Sequence, residues 1–265
     1  MIKKILRRIR HVVEIQKYKK SASKNKNIPL AKGIAENGVL FIAFGRSYVS
    51  EAVFCAQSIR NCSDIGIAIF CDSIKSHERS LFDFVSLIEP NHSRAKVDYL
   101  KYTPFKNTLY LDSDTQVVED ITDIFSLLER FDLAMAHDFA RKRQRWCEII
   151  PEYKRIPDGF SEFGGGVILY TMPACEKFIQ LWSEYFYKYF RKTNGWDQAS
   201  LRIAVWQSSC AIYVLPQEFN VRGQHIRDKT DTLPEKEGGL HPLRPRILHW
   251  HGLDDPSSDV KQYRY

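Results

Sequence analysis

The stretch Tyr110-Leu111-Asp112-Ser113-Asp114-Thr115-Gln116-Val117 constrains this chain more than any other. An apolar run stops at two carboxylates spaced one residue apart, and apolar residues resume at Val117 and Val118. A buried strand carries few charges, because an unpaired buried carboxylate is costly. Two of them at one strand end call for a compensating cation. At i and i+2 of an extended chain both side chains share a face. Where the strand breaks into a turn, both can reach one oxygen-preferring ion such as Mg²⁺ or Mn²⁺. The competing reading is a turn or helix start with Asp114 or Thr115 as a cap. The local sequence does not choose between the two.

The chain has 265 residues, enough for one substantial α/β domain, and is 44% hydrophobic and 13% aromatic, as a folded body requires. No apolar run reaches the roughly 18 residues of a membrane span. Charges interrupt the apolar positions of the N-terminus throughout, unlike a secretory signal. The net charge of +7 is unevenly placed. Residues 1–27 hold ten Lys or Arg and one Glu, a net of +9, which leaves −2 (7 − 9) for the remainder. Nucleic-acid binding would need the basic charge on the fold itself, so no nucleic-acid partner is expected. The six cysteines, at 55, 62, 71, 147, 175 and 210, form no CxxC or Cys/His zinc spacing. Free thiols in apolar surroundings suit a reducing, cytoplasmic setting.

In order, residues 1–20 place Ile2, Ile5, Leu6, Ile9, Val12 and Val13 at helical spacing against a Lys/Arg face. Such a helix suits an anionic membrane surface, or docks on protein. Residues 1–32 read as this helix and a linker, and 33–265 as the domain. Gly38 to Gly45 and Ile65 to Phe70 read as buried strands, with a helix between them carrying Ala52, Val53, Cys55, Ala56 and Ile59 on its apolar face. Residues 74–88 read as a helix, with Leu87-Ile88 as an alternative start of a short strand, and 94–102 as another helix, which Pro104 ends. After the aspartates come a short helix over 123–130, a strand over 133–136 ending in His137-Asp138, and an irregular stretch over 139–161. Glu162-Phe163-Gly164-Gly165-Gly166 then feeds a strand ending at Tyr170. Its glycines permit close backbone approach to a ligand, or mark a bulge. Pro173 opens a helix with Phe178, Leu181, Trp182, Tyr185, Phe186 and Tyr189 at helical spacing, read as core. Trp196-Asp197-Gln198 opens the next helix, with Asp197 as a cap or a site residue. Strands over 211–215 and 246–252 follow, the last bearing His249 and His251. Alternating strands and helices predict a mainly parallel sheet flanked by helices, with ligands beyond the carboxyl ends of the strands, where Asp72, Asp112 and Asp114 lie.

The ordered set of Tyr-Leu-Asp-Ser-Asp-Thr, a glycine-rich strand, Asp-Gln on a helix and a C-terminal histidine strand resembles the GT-A class of nucleotide-sugar glycosyltransferases, family 8 and its relatives in particular. The resemblance spans roughly residues 37–253. It implies a GT-A (Rossmann-like) fold and transfer of a sugar from a nucleoside-diphosphate donor, UDP by family habit, to a glycan or lipid-linked acceptor. It implies that Asp112 and Asp114 hold Mn²⁺ (or Mg²⁺) and the donor, with His249 as third ligand and His251 ranked behind it. Lys96, 16 residues before Asp112, matches a basic donor contact. Ala43, Phe44 and Tyr48 fall where such folds hold the nucleoside. Ser113, Gly165, Gly166 and Asp72 complete the donor-side candidates. Asp197 and Gln198 match the pair facing the sugar and acceptor. Two departures stand out. Gly164 replaces the family's asparagine, and the lysine expected after the histidine strand is absent, for which Arg222 or Arg244 could substitute.

A departing diphosphate gathers negative charge, which a divalent ion stabilises. An inverting reaction needs a base, for which Asp138, Glu162 and Asp197 are candidates. A retaining one needs a group near the anomeric carbon, for which Gln198 or Asp197 serves. The rival readings are a phosphatase with DxD on its first strand, which the strand position and Gln116 disfavour, a nucleotidyl transferase, whose Gly-rich basic first loop is absent from residues 43–50, and a membrane-associated scaffold without turnover.

Overall fold

The computed structural model describes residues 35–89, 92–138, 140–222 and 245–250, together with Gln16. The basic helix expected over residues 1–20, and Arg244 and His251, lie outside the described residues. Strands β1 (Asn37–Ala43), β2 (Gly66–Cys71), β3 (Phe84–Leu87) and β4 (Asn107–Leu111) are mutually parallel. A short β5 (Thr115–Val117) follows the aspartates, and then come β6 (Leu133–Met135), β7 (Val167–Thr171), β8 (Ile212–Val214), β9 (Val221–Arg222) and β10 (Ile247–His249). The main sheet has seven strands in the order β3-β2-β1-β4-β7-β6-β8, and a small sheet has the order β5-β10-β9. Only β7 runs against its neighbours in the main sheet. The mixed, mainly parallel α/β architecture expected from the alternation is therefore present.

Strand side chains alternate between faces, and both faces are covered. Val39, Phe41, Ile67, Ile69, Leu109 and Leu111 pack on helix α1 (Arg46–Cys62) through Val49, Ala52, Cys55, Ala56 and Ile59. On the other face, Leu40, Phe70, Tyr110, Ile168 and Tyr170 meet Phe178, Trp182 and Phe186 of α6 (Glu176–Tyr189) and Leu201 of α7 (Gln198–Gln207). The aromatic stripe is thus core, as its spacing predicts.

Two local expectations are corrected. Residues 74–88 are not one helix: only α2 (Ser76–Arg79) is helical, and Phe84 to Leu87 pair with β2, Phe84 opposite Ala68. The carboxylate of Asp83 receives the Ile67 N–H at 2.8 Å and the Arg60 guanidinium at 2.7 Å, which draws the chain into the sheet edge. Residues 94–102 do form a helical turn, α3 (Lys96–Tyr99), followed by a 3₁₀ turn, and a 3₁₀ helix spans Thr122–Glu129. Residues 139–161 are less irregular than expected. They hold α4 (Gln144–Ile149) and α5 (Pro151–Arg155), with Pro151 starting a helix rather than breaking one. Trp146, Ile150, Tyr153 and Ile156 bury there against Tyr189, Ala199 and Ile203.

Arg202 of α7 is fully buried and ties this segment to the body. Its guanidinium donates to the carbonyls of Phe160 and Pro157 at 3.0 Å each and of Tyr153 at 3.3 Å. Each buried carbonyl left without a donor costs about 1–3 kcal/mol. Arg202→Met, which keeps the bulk and removes the donors, is expected to destabilise the fold by about 3 kcal/mol or more. The check is the urea midpoint, and an unchanged midpoint would show that residues 153–160 hold themselves in place.

Candidate active site and metal centre

The order of the main sheet reverses at β1, with β2 and β3 to one side and β4 to the other. A crevice opens where neighbouring strands diverge in this way, beyond their carboxyl ends. A cavity of about 370 Å³ occupies it, lined by Ala43, Phe44, Tyr48, His92, Arg94 and Lys96 together with Tyr110, Asp112, Ser113 and Asp114. A second cavity of about 330 Å³ adjoins it and shares Tyr48, Arg94, Lys96, Asp112 and Asp114. Its own walls are Gly165, Gly166, Trp196, Asp197, Gln198, Arg222 and His249. Most residues expected to form the site therefore meet in one two-part cleft, with the paired aspartates where the parts join.

Strand register assembles the aspartates and the histidine. β10 runs antiparallel to β5 and sets His249 opposite Thr115, the residue after Asp114. The Trp250 N–H donates to the Asp114 carbonyl at 2.8 Å and holds that register. On the far side of β4, Leu111 pairs with Val167, and the Asp112 N–H donates to the Gly166 carbonyl at 2.8 Å. His249 Nε2 lies 3.3 Å from Asp114 Oδ1 and 4.0 Å from Asp112 Oδ2. One ligand atom from each of the three residues lies within 4.8 Å of the others.

The donor set fits a divalent ion on three counts. First, His249 Nδ1 donates to Asn220 Oδ1 at 2.9 Å, which leaves the Nε2 lone pair facing the carboxylates. Orientation of a ligand histidine through its second nitrogen is the usual support of a metal site. Second, two carboxylates and one neutral imidazole suit Mn²⁺-like ions. Third, a Cβ on Gly166 would stand 2.2 Å from His249 Cε1 and 2.8 Å from Asp112 Oδ2, so only glycine leaves the cradle open. Neither Gly165 nor Gly166 has positive φ, so space rather than conformation requires the glycines. Gly164 lies under Asn220: an added Cβ would meet its Nδ2 at 2.6 Å.

Lys96 is the internal counter-charge. Buried, it donates to Asp112 Oδ1 at 2.9 Å and Oδ2 at 3.2 Å, and to the Gly165 carbonyl at 2.8 Å. The Tyr110 hydroxyl adds a bond to Asp112 Oδ1 at 2.6 Å. Burial pushes the Asp112 carboxyl up, but the facing Lys96 ammonium holds the group below the usual carboxylate range. Burial pushes the Tyr110 hydroxyl well up, so it stays a donor.

Asp197 sits at the N-cap of α7 yet makes no side-chain capping bond. Its carboxylate faces Arg94 at 3.6 Å and Lys96 at 3.8 Å. Gln198 donates its amide to the Phe163 carbonyl at 2.8 Å. Ser113 donates to Glu51 at 2.8 Å. Asp72 accepts the Gly45 N–H at 3.0 Å, where φ is +85° between β1 and α1, and lines neither cavity. Asp138 and Glu162 also lie off both cavities. Asp138 is clamped by Arg143 and Arg222 at 2.9 Å each. Glu162 is fully buried, takes the Tyr153 hydroxyl, and faces Arg143 at 2.7 Å. Nothing in the sequence marks Asn220 or Arg94 as part of a site, and Trp196 reads there only as a helix opener. Asn220 carries no periodic signal, since it only precedes a two-residue strand.

Solved glycosyltransferases share this fold. The galactosyltransferase LgtC in complex with donor and acceptor sugar analogs matches with a TM-score of 0.56 at 17% identity, over 81% of this chain and 87% of that one. LgtC with an active-site glutamine changed to glutamate matches equally at 0.56, with 16% identity and the same coverage. GlyE of Streptococcus pneumoniae matches at 0.55 and 20% identity, over 80% of this chain and 54% of its own, so this chain spans about half of GlyE. No sequence family model matches, and no curated protein matches by sequence. The chain has the GT-A glycosyltransferase fold.

Asn220→Ala is expected to weaken divalent-ion binding roughly 10- to 100-fold, since it frees the His249 ring. Titration calorimetry with Mn²⁺ as probe checks this. Equal affinity in wild type and variant would remove Asn220 from the site.

Proposed function

We propose that this protein is a metal-dependent glycosyltransferase that moves a sugar from a nucleoside diphosphate, UDP in particular, to a glycan or lipid-linked acceptor. One observation carries the reading: Asp112, Asp114 and His249 converge where the two cavities meet. The first cavity, walled by Ala43, Phe44 and Tyr48, takes the nucleoside. The second takes the sugar and the acceptor. A divalent ion, Mn²⁺ by its histidine ligand, would be held by the trio and would stabilise charge on the leaving diphosphate.

The chain's own groups do the rest. Lys96 fixes the Asp112 carboxylate and so presents Asp114 and His249 at a set distance. Gly165 and Gly166 keep that wall thin enough for a ligand to approach. Arg222, anchored by Asp138, supplies positive charge to the second cavity and takes the part of the missing lysine. Gln198 spends its amide on the Phe163 carbonyl, which fixes the side chain and leaves its own carbonyl oxygen free of partners among the described residues. A fixed carbonyl dipole beside an anomeric carbon stabilises positive charge there as the leaving group departs. Asp197 adds negative charge on the same side. Glu162 and Asp138 have their oxygens committed to arginines and Tyr153, so they serve as supports rather than bases. The altered active-site glutamine in one LgtC structure supports the emphasis on Gln198.

The experiment is UDP release from a panel of UDP-sugars. Release should require Mn²⁺, stop with a chelator, and fall about 10²-fold or more in Asp114→Ala. Release untouched by chelator or substitution would refute the metal mechanism. Gln198→Ala is expected to lower kcat more than KM, because its carbonyl acts on charge that develops in the transition state.

No described helix is long and apolar enough to cross a membrane. The amphipathic spacing of residues 1–20 supports a peripheral position on an anionic cytoplasmic membrane face. Removing residues 1–27 is then expected to reduce cosedimentation with phosphatidylserine vesicles and leave UDP release intact. Vesicle binding that survives the truncation would rule the anchor out.

A further inference from the structure

One wall of the second cavity has no part in the reaction as described. Trp196 lines it with 50% of its surface exposed, although burying so large a ring would be favourable. Two guanidiniums approach that ring, Arg94 at 5.6 Å and Arg145 at 5.7 Å from its centroid. Arg145 also lies 4.3 Å from the centroid of Trp146, which is buried beneath it on α4. Stacking on an aromatic ring holds an arginine in place while leaving its donors unspent. Arg94 faces Asp197 at 3.6 Å, whereas exposed Arg145 has no carboxylate partner among the described residues. Two like charges on one ring repel, and an exposed cation–π contact returns only about 0.5–1 kcal/mol.

The wider charge pattern runs the same way. Residues 139–161 carry six Lys or Arg against three Asp or Glu, a net of +3, within a body (28–265) of net −2. Some of these are matched: Arg143 by Asp138 and Glu162, Lys142 by Asp158. Arg145, Lys154 and Arg155 have no ion-pair partner among the described residues. Of these, Arg145 stands against Trp196, while Lys154 lines a separate cavity with Cys147 and Lys192.

We propose that the acceptor is an anionic saccharide, with a carboxylate or phosphate held by Arg94 and Arg145 around Trp196. This rests on the glycosyltransferase reading above. Guanidinium forks match both anions bidentately, and the indole offers an apolar surface for the C–H side of a sugar ring. The donor diphosphate is a poorer owner of this wall. Arg94 lines both cavities, but Trp196 belongs to the second with Gln198 and not to the first with Ala43 and Phe44, and Arg145 lines neither.

The test uses the full chain and a set of matched disaccharides: one bearing a uronic acid, one bearing a phosphate monoester, a prenyl-diphosphate-linked sugar, and their neutral counterparts. Binding without donor is read by saturation-transfer NMR and tryptophan fluorescence, and transfer is read with UDP-sugar and Mn²⁺. At least one anionic class should bind about tenfold tighter than its neutral counterpart, as charge-assisted hydrogen bonds allow. The advantage should shrink with salt, survive in part in Arg145→Lys, vanish in Arg145→Gln and reverse in Arg145→Glu. Which class gains separates carboxylate, phosphate and lipid diphosphate as the source of the anion. Equal binding of charged and neutral saccharides, or none of either, would overturn the proposal. So would an anionic preference untouched by Arg145→Glu. Acceptor-free, Mn²⁺-dependent UDP release judges the enzymatic reading separately, so the two fail independently.

Discussion

The Lys96 ammonium is the contact on which the cleft depends. It comes from α3, yet its bonds end on Asp112 at the tip of β4 and on the Gly165 carbonyl at the entry to β7, with Asp197 of the α7 cap 3.8 Å away. An ammonium has three donors and no preferred plane, so it can join three elements that arrive from different directions. Burying such a cation and a carboxylate together costs several kcal/mol per ion, which their attraction need not return in full. A pair of this kind specifies geometry more than it stabilises. What it specifies here is the position of one carboxylate in a trio. Lys96 is shared by Asp112 and Asp197, with Arg94 also on Asp197, while Asp114 faces His249. The trio of Asp112, Asp114 and His249 is the part of the cleft whose donor set suits a further cation.

Sheet topology explains why a glycine run stands at that point. Parallel strands deliver their carboxyl ends to the crevice, and with them loops that carry side chains. β7 is the one reversed strand, so it delivers its amino end beside Asp112. Its preceding loop must pass between β4 and β10, where His249 Cε1 leaves no room for a Cβ. A reversed strand and a side-chain-free entry are thus two consequences of one arrangement. The same packing explains Asn220, which precedes β9 and meets His249 from beneath, its Nδ2 over Gly164.

Strand ends and helix faces were legible because burial imposes a period. β1, β2, β4, α1 and α6 carry it in runs of apolar residues, and the two aspartates break it at a point where a break is costly. Phe84 to Leu87 were not legible, since four residues are too few for periodicity and their pairing with β2 outweighs local preference. Residues 144–155 show no period in the sequence because their two helices are short, and Pro151, a breaker within a helix, is favourable as the first residue of the second. His249 needed the resemblance, because nothing near it in sequence says that Thr115 lies opposite. Asp138 and Glu162 looked free only because a sequence does not show Arg143, Arg222 and Tyr153 closing on them.

Asp197 shows how a structure decides what a sequence leaves open. Aspartate before a helix is a favourable N-cap, and the side-chain bond contributes about 0.5–2 kcal/mol. Here the residue occupies the cap position and forgoes that bond. Its carboxylate turns instead toward Arg94 and Lys96, and its backbone carbonyl takes the Leu201 N–H at 2.9 Å and the Trp182 indole at 3.3 Å. The backbone starts the helix while the side chain is held in the cleft. Local rules are broken in folded proteins chiefly where function requires it. Asp112 and Asp114 are a case of the same kind: Asp114 caps no described helix, Thr115 begins β5, and the charge that a buried strand should avoid faces Lys96 and His249.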